Sequence, residues 1–568
     1  PVSSNRLPGS NQLRRMWAIG IGMSLALGVI VLRLFVFQVI NGDEWKEVVI
    51  EDWAVTDSPE RGVIYDHNGA VLAVDEWDYR VGVSPAILTD AEELANQLAP
   101  VMQIPRGQLL AELESPDLYV VLAPRVSSET AEAIRAVEYG DEVQLDPLPR
   151  RFYPQGELMC HILGFVDFDG MGGAGVEGYY QSELAGQAAS ATVPISPLLE
   201  QTTVMAREGA DLVLTIDRSV QYTVERHLKE ALAEHGAVSG SIIVMDPRTG
   251  AIVAMAAEPC YSANDFYDIE ESLFYNPLVS AVYEPGSVMK LVTMAAALDS
   301  GTVTPATTYN DTGAISVGGH VSYNWDRGAY GTVDMTTLLA HSLNVGAATI
   351  ATWMGPTTFY DYFQRFGFGR PTGIDLFAEE PGLMPLPGSG EWQESFIATN
   401  AYGQALAVTP LQMTSAISAL ANNGYLMQPY VVAEVRDANG TRRHEPTVVS
   451  QVIKPETAAI MTTMAVTAVQ QEVQEALVEG YTVAGKTGTA QIAEPFGYHP
   501  TDTIASFVGW LPADDPKLVV FVKLDRPQSA PWGSMTAAPV FSKLAKELVV
   551  LLDIPPDEIR LGAVANAN

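Results

Sequence analysis

The chain has 568 residues, 47% of them hydrophobic, which is more than one core can serve and reads as a folded protein of two or more domains. Its 68 acidic and 32 basic residues leave a net charge of −36, which argues against nucleic acid as a partner. Two cysteines and eight histidines without ligand spacing give no metal site, and no cofactor is expected; Cys160 and Cys260 read as isolated buried thiols, with a single disulfide as the alternative.

The first element is Met16–Leu32, seventeen residues without a charge, and after Arg33 the apolar character continues through Val39. Arg6, Arg14 and Arg15 precede it, and Asp43, Glu44 and Glu47 follow. The pattern predicts a single transmembrane helix over 16–39 in the cell membrane, with residues 1–15 cytoplasmic and everything beyond outside. A cleaved signal peptide fits less well, because no small-x-small site follows.

Residues 40–205 read as a mixed α/β pedestal. RGVIYDHNGAVLAV (Arg61–Val74) predicts a hairpin around Asn68-Gly69. LTDAEELANQLAPVM and SSETAEAIRAV predict capped amphipathic helices. GMGGAG at Gly170–Gly175 lacks a phosphate-loop lysine and reads as a turn. GADLVLTID (Gly209–Asp217) opens a crossover, and 206–237 hold the linker and a first long helix.

The second domain spans 238–552. SIIVMDPRTGAIVAMA predicts two apolar strands around Pro247–Gly250. Helices follow after Ser287 and around 334–353, 409–423 and 455–470. AGKTGTAQIA, SFVGWLP and LVVFVKL read as strands and SKLAKELVVLL as a last helix. Strands, helices, strands and a helix imply one sheet completed by distant segments, an α+β arrangement. The Pro-, Asp- and Ala-rich segment 553–568 reads as a flexible tail.

YEPGSVMKLVTMAAALDSG (Tyr283–Gly301) carries the first chemical signal. Ser287 suits a helix cap, but Lys290 then falls in the first turn, where the helix dipole disfavours a cation. Residues three apart share a helix face, so the lysine can reach the serine hydroxyl. A helix N-terminus and an apolar wall lower a lysine pKa, which makes Lys290 a candidate base for a serine nucleophile. The chain has nine lysines, and this is its one Ser-x-x-Lys. Ser342-Leu343-Asn344 and Lys486-Thr487-Gly488-Thr489 follow in order. Each alone has a bland reading as cap, turn or exposed strand; the three together are the constellation of penicillin-binding proteins and serine β-lactamases. Ser342 and Asn344 can relay a proton and hold a substrate amide. Lys486 offers a positive charge to a carboxylate, Ser287 and Thr489 offer oxyanion N–H groups, and Gly488 leaves the strand open to a substrate peptide.

With these motifs the chain resembles the class B penicillin-binding proteins, more specifically the septal division branch. RGVIYDHNGAVLA, RRFYPQGELMCHILGFV and GAGVEGYYQSELAG look like the family's pedestal, of the dimerisation type, and EPGSVMK, FGFGRPTGIDL, TPLQM, ANNG and GKTGTAQ like its catalytic blocks. His67 stands where the family usually has arginine, and Val288-Met289 where it usually has Thr-Phe. The resemblance implies a central antiparallel sheet flanked by helices, and Arg61 and Glu177 as salt-bridge partners. It implies a peptidoglycan D,D-transpeptidase for cell-wall synthesis: Ser287 attacks the penultimate D-Ala carbonyl of a donor stem peptide, and an acceptor stem's amine resolves the acyl-enzyme. Catalytic residues would be Ser287, Lys290, Ser342 and Asn344; substrate-binding residues Lys486, Thr487, Gly488 and Thr489. β-Lactams would trap Ser287, and a polytopic lipid-linked glycosyltransferase with other divisome proteins would be the partner. An elongation-type transpeptidase is the alternative. A β-lactamase or carboxypeptidase, or a catalytically silent scaffold, fits less well, because no extra deacylating glutamate is evident and the trio is intact.

Overall fold

In a computed structural model, residues 10–36, 59–187, 190–191, 203–204, 207–494 and 497–567 are described. The chain divides into two units, Pro1–Pro59 with Gly186–Arg207, and Glu60–Ala185 with Glu208–Asn568. In the first, a helix runs Ser10–Phe35 and a short antiparallel pair joins Ser190–Ala191 to Thr203–Val204. Trp17, Ile21, Leu25 and Leu32 on the helix are exposed. Among the described residues no helix is long and apolar enough to cross a membrane. Residues 37–39 of the expected span and 40–58 of the expected pedestal lie outside the described residues.

In the larger unit the hairpin forms around Asn68-Gly69: Ile64–Tyr65 pairs antiparallel with Val71–Val83, Ile64 opposite Ala73. Gly69 takes φ +85, which glycine adopts without steric cost. Asp90 and Ser127 cap helices Ala91–Met102 and Ser128–Arg135, as their sequences predict. Leu94, Leu98 and Ile134 from these helices join Val81 and Val83 in a separate small core.

The pedestal base is held differently. Glu177 is 0% exposed and receives Arg61 Nε at 2.7 Å and Arg151 Nε at 2.7 Å. Two guanidinium groups on one buried carboxylate satisfy its lone pairs, and Arg151 holds a second carboxylate, Asp75, at 2.9 Å. Cys160 and Cys260 form a disulfide, with Cα atoms 6.2 Å apart across 100 residues of sequence. They are therefore not isolated thiols: tertiary packing brings the pedestal helix Cys160–Leu163 against the segment after strand Ile252–Glu258.

The strand Asp211–Leu214 joins the pedestal to the rest. It pairs parallel with Ile64–Tyr65 on one side and antiparallel with Val432–Asp437 on the other, within a seven-stranded sheet. The second sheet has five antiparallel strands in the order Ala484–Glu494, Gly497–Leu511, Leu518–Asp525, Ser239–Met245, Ile252–Glu258. Its central strands carry unbroken apolar runs, Ile242–Met245 and Leu518–Val522, because both faces are covered there. Ile242 and Val244 enter one core with helices Arg218–His235 and Ala537–Leu551; Ile243 and Met245 enter the other, with helices Met289–Asp299 and Pro410–Ala421. Met289–Ala297 is buried at every residue, as an all-round apolar helix requires.

The terminal segment is not loose where it is described. Asp557–Ala567 is helical, Arg560 pairs with Asp514 and Asp557 at 2.6 Å each, and Asp557 Oδ2 accepts the Thr482 N–H at 2.6 Å. Arg560 and Asp557 thus tie the start of this segment to Asp514 and Thr482.

Candidate active site

Ser287 does not cap a helix. It lies in the single 3-10 turn Gly286–Val288, and helix Met289–Asp299 begins after Val288 without a side-chain cap. Lys290, in the first turn of that helix, is 1% exposed, and its Nζ lies 2.9 Å from Ser287 Oγ. Nζ also lies 2.6 Å from Ser342 O, 3.0 Å from Ser342 Oγ and 2.7 Å from Asn344 Oδ1. Burial pushes the Lys290 pKa well below the usual lysine value, and the charge of Lys486 pushes it further. A neutral amine has two N–H donors and one lone pair. The two short contacts to carbonyl oxygens take the donors, so the lone pair is left for the hydroxyls of Ser287 and Ser342.

Ser342 has φ +58, an uncommon conformation for a residue with a Cβ. The turn is fixed by Leu343 N–H donating to Leu338 O at 3.0 Å, and it aims both the carbonyl and the hydroxyl of Ser342 at Lys290. Asn344 opens helix Asn344–Arg365, and its Nδ2 donates to Tyr323 O at 3.0 Å. That bond turns Oδ1 to the lysine, so the asparagine orients the base; the substrate amide expected of it has at most its second N–H.

Lys486 sits on Ala484–Glu494, the edge strand of the five-stranded sheet, and is 2% exposed. Burial lowers its pKa to about 8, opposed by the negative charge of Glu472. Its nearest hydrogen-bond partners are Thr487 Oγ1 at 3.4 Å and Thr487 O at 3.5 Å, both at the limit of a useful bond. Close packing adds a second reason for a glycine at 488. A Cβ there would lie 2.3 Å from Ser506 Oγ, 2.9 Å from Val288 Cγ2 and 3.0 Å from Pro285 O. The glycine makes room for the nucleophile turn to rest on the strand, and the open side is the strand's free edge.

A second segment clamps the turn from the far side. Gly286 N–H donates to Gly403 O at 3.0 Å, and a Cβ on Gly403 would lie 2.2 Å from Gly286 O. Glu284 Oε1 accepts the Ala405 N–H at 2.9 Å and the Tyr498 hydroxyl at 3.2 Å. Ser287, Ser342, Asn344, Lys486, Thr487 and Thr489 thus line one open cleft of about 320 Å³; Lys290 lies beneath it. Sequence motifs did not mark the rest of the wall: Trp325, Tyr330, His341, Tyr402, Gln404, Glu472 and Trp532. They stand singly on loops and helix ends, and only the Gly403 neighbourhood, a glycine between two polar side chains, carried any local signal.

A buried amine shared between two hydroxyls, beside a buried cation with only long hydrogen bonds among the described residues and an open strand edge, can take a proton from one serine, bind a carboxylate and present an extended peptide to that serine. Comparison with known proteins agrees with that chemistry. Residues 240–546 match the penicillin binding protein transpeptidase domain, and residues 56–214 the penicillin-binding protein dimerisation domain. Stage V sporulation protein D of Bacillus subtilis is 32% identical, over 94% of this chain and 85% of that protein. Peptidoglycan D,D-transpeptidase FtsI of Escherichia coli K12 is 30% identical, over 95% of this chain and 92% of that protein. Among solved structures, penicillin binding protein 3 of Mycobacterium tuberculosis complexed with aztreonam superposes with a TM-score of 0.69 at 27% identity, covering 88% of this chain and 97% of that one.

Proposed function

The chain belongs to the class B penicillin-binding proteins, and from that membership we propose how its residues divide the work of a penicillin-sensitive peptidoglycan D,D-transpeptidase in cell-wall synthesis. The observation that carries the reading is Lys290, buried with its amine 2.9 Å from Ser287 Oγ. Lys290 takes the Ser287 proton as Oγ attacks the penultimate D-Ala carbonyl of a donor stem. The N–H groups of Ser287 and Thr489 hold the oxyanion. The stem's terminal carboxylate neutralises Lys486, and its backbone pairs with the free edge of Ala484–Glu494 through Thr487 and Thr489. Ser342 passes the proton from Lys290 to the leaving D-Ala nitrogen. An acceptor amine then attacks the Ser287 ester, the bond between the carbonyl carbon and Oγ breaks, and the proton lost by the amine passes through Lys290 to Oγ. β-Lactams enter as D-Ala-D-Ala mimics and stop at the ester.

The finer assignments belong to the same proposal. Residues 16–39 anchor the protein in the cell membrane with the catalytic part outside; the charge-free run Met16–Leu32 and its exposed apolar side chains support this. Residues 40–205 act as pedestal, 238–552 as catalytic domain. The role is septal division, with a polytopic lipid-linked glycosyltransferase and divisome proteins as partners, supported by Ser-Leu-Asn at 342–344. Full-length protein treated with a fluorescent penicillin tests the chemistry: stable labelling lost in Ser287→Ala is expected, and equal labelling of that variant removes Ser287 from its role. Rapid turnover of the penicillin would point to a β-lactamase instead. Imaging of tagged protein tests the division role, which a uniform lateral distribution defeats.

A further inference from the structure

The helix Pro455–Glu472 ends at the cleft with an acid. The C-terminal end of a helix carries partial negative charge, so a carboxylate there is disfavoured unless a cation answers it. Glu472 is the one carboxylate among the residues that line the cleft, and it is 39% exposed in its side chain. Its Oε1 lies 3.1 Å from His341 Nδ1. Tyr330 stacks on the imidazole, ring centroids 5.6 Å apart, and donates its hydroxyl to Asp326 at 2.8 Å. His341 directly precedes Ser342, so this pair is built onto the turn that aims Lys290. The cleft is therefore bipolar: Lys486 awaits an anion, and Glu472 offers a half-exposed carboxylate close enough to act on the Lys486 charge.

We propose that Glu472, oriented by His341, forms an ammonium subsite that recognises the side-chain amine of a diamino acid in a stem peptide. The inference rests on the transpeptidase reading above and deepens it. A stem that ends in D-Ala-D-Ala supplies a carboxylate for Lys486; a diamino acid just upstream supplies the opposite charge for Glu472. The amine comes either from the donor stem, where it fixes register along the strand edge, or from the acceptor stem, where it is the incoming nucleophile. A charge-assisted hydrogen bond to a half-exposed carboxylate is worth a factor of roughly three to ten in kcat/KM. His341 is a positioning residue in this scheme, since it acts through Glu472.

The test uses full-length protein in detergent and two arms. In the donor arm, peptides ending Lys-D-Ala-D-Ala and norleucine-D-Ala-D-Ala exchange their last residue for labelled D-alanine. In the acceptor arm, the norleucine donor is fixed, and a lysine-containing stem is compared with D-alanine as acceptor. Glu472→Gln is expected to lower the lysine-to-norleucine ratio, or the stem-to-D-alanine ratio, by roughly three- to tenfold, and the arm that responds names the source of the amine. Ratios unchanged in both arms overturn the proposal, also where both rates fall together. So does wild-type protein without preference for a free amine in either arm, a result that needs no variant. Penicillin labelling of the same preparations separates the two levels: unlabelled wild type defeats the transpeptidase reading, whereas labelled protein without amine preference defeats only the subsite.

Discussion

Replacing Lys486 by methionine should stabilise the protein while disabling it. The ammonium is 2% exposed and has two long contacts, 3.4 and 3.5 Å, to the adjoining threonine. Burial takes its pKa from 10.5 to about 8. One pKa unit is worth about 1.36 kcal/mol, so keeping the group charged in the empty cleft costs the fold roughly 3 kcal/mol. The sign follows from the direction. The folded pKa lies below the unfolded one, so the unfolded chain binds more protons between about 8 and 10.5, and wild-type stability rises with pH across that window. Below about 8 both states are protonated and the full cost is present. Methionine fills the volume without the charge. Denaturant titration of wild type and Lys486→Met at pH 7 should show a gain of up to ~3 kcal/mol, shrinking as the buffer approaches pH 10. A variant less stable at pH 7, or a gain independent of pH, would refute the reasoning.

Lys290 responds to Lys486 as well as to burial, so the pH midpoint of penicillin acylation should lie well below the ordinary lysine value and move upward in Lys486→Met; a midpoint unmoved by that substitution removes the coupling. Lys290→Met should cut the acylation rate by roughly 10²–10⁴-fold while far-ultraviolet circular dichroism is unchanged, and wild-type rates in this variant would place the base elsewhere. Gly403→Ala drives a Cβ to within 2.2 Å of Gly286 O at a φ of +83, so acylation should fall at least about tenfold with Ser287 intact; stopped-flow labelling at the wild-type rate would show that the turn is not clamped from this side. Reduction of the Cys160–Cys260 disulfide, or its replacement by serines, should lower stability by about 2–5 kcal/mol in urea titration, and overlapping curves would contradict it.

The proximity of the proposed reactive groups was legible because it is tied to short spacings. Ser287 and Lys290 are one helical turn apart, Ser342 and Asn344 flank one turn, and Lys486 to Thr489 lie along one strand. The antiparallel sheet was legible as distant segments, its inner strands through apolar runs such as Ile242–Met245 and Leu518–Val522. Other features depend on contacts that spacing does not encode. Glu472 and Trp532 reach the cleft from a helix end and a loop that nothing local marks. The two cysteines have no pairing rule at a separation of 100 residues. The packing of Pro285 and Val288 against Gly488 has no local sequence signal. The tail is polar by composition, and only Asp514, some forty residues upstream, turns its arginine into an anchor.

The strand Asp211–Leu214 has a consequence for how the protein can be divided. Its neighbours are Ile64–Tyr65 from the pedestal and Val432–Asp437 from deep within the catalytic half. A truncation that begins after it would strip Val432–Asp437 of a partner and leave unpaired backbone ready to recruit another chain. Grafting the catalytic half onto a foreign pedestal meets the same difficulty, since the donor must supply a strand of matching register. The smallest part of this enzyme that keeps both neighbours of that strand therefore reaches from Ile64–Tyr65 to Val432–Asp437.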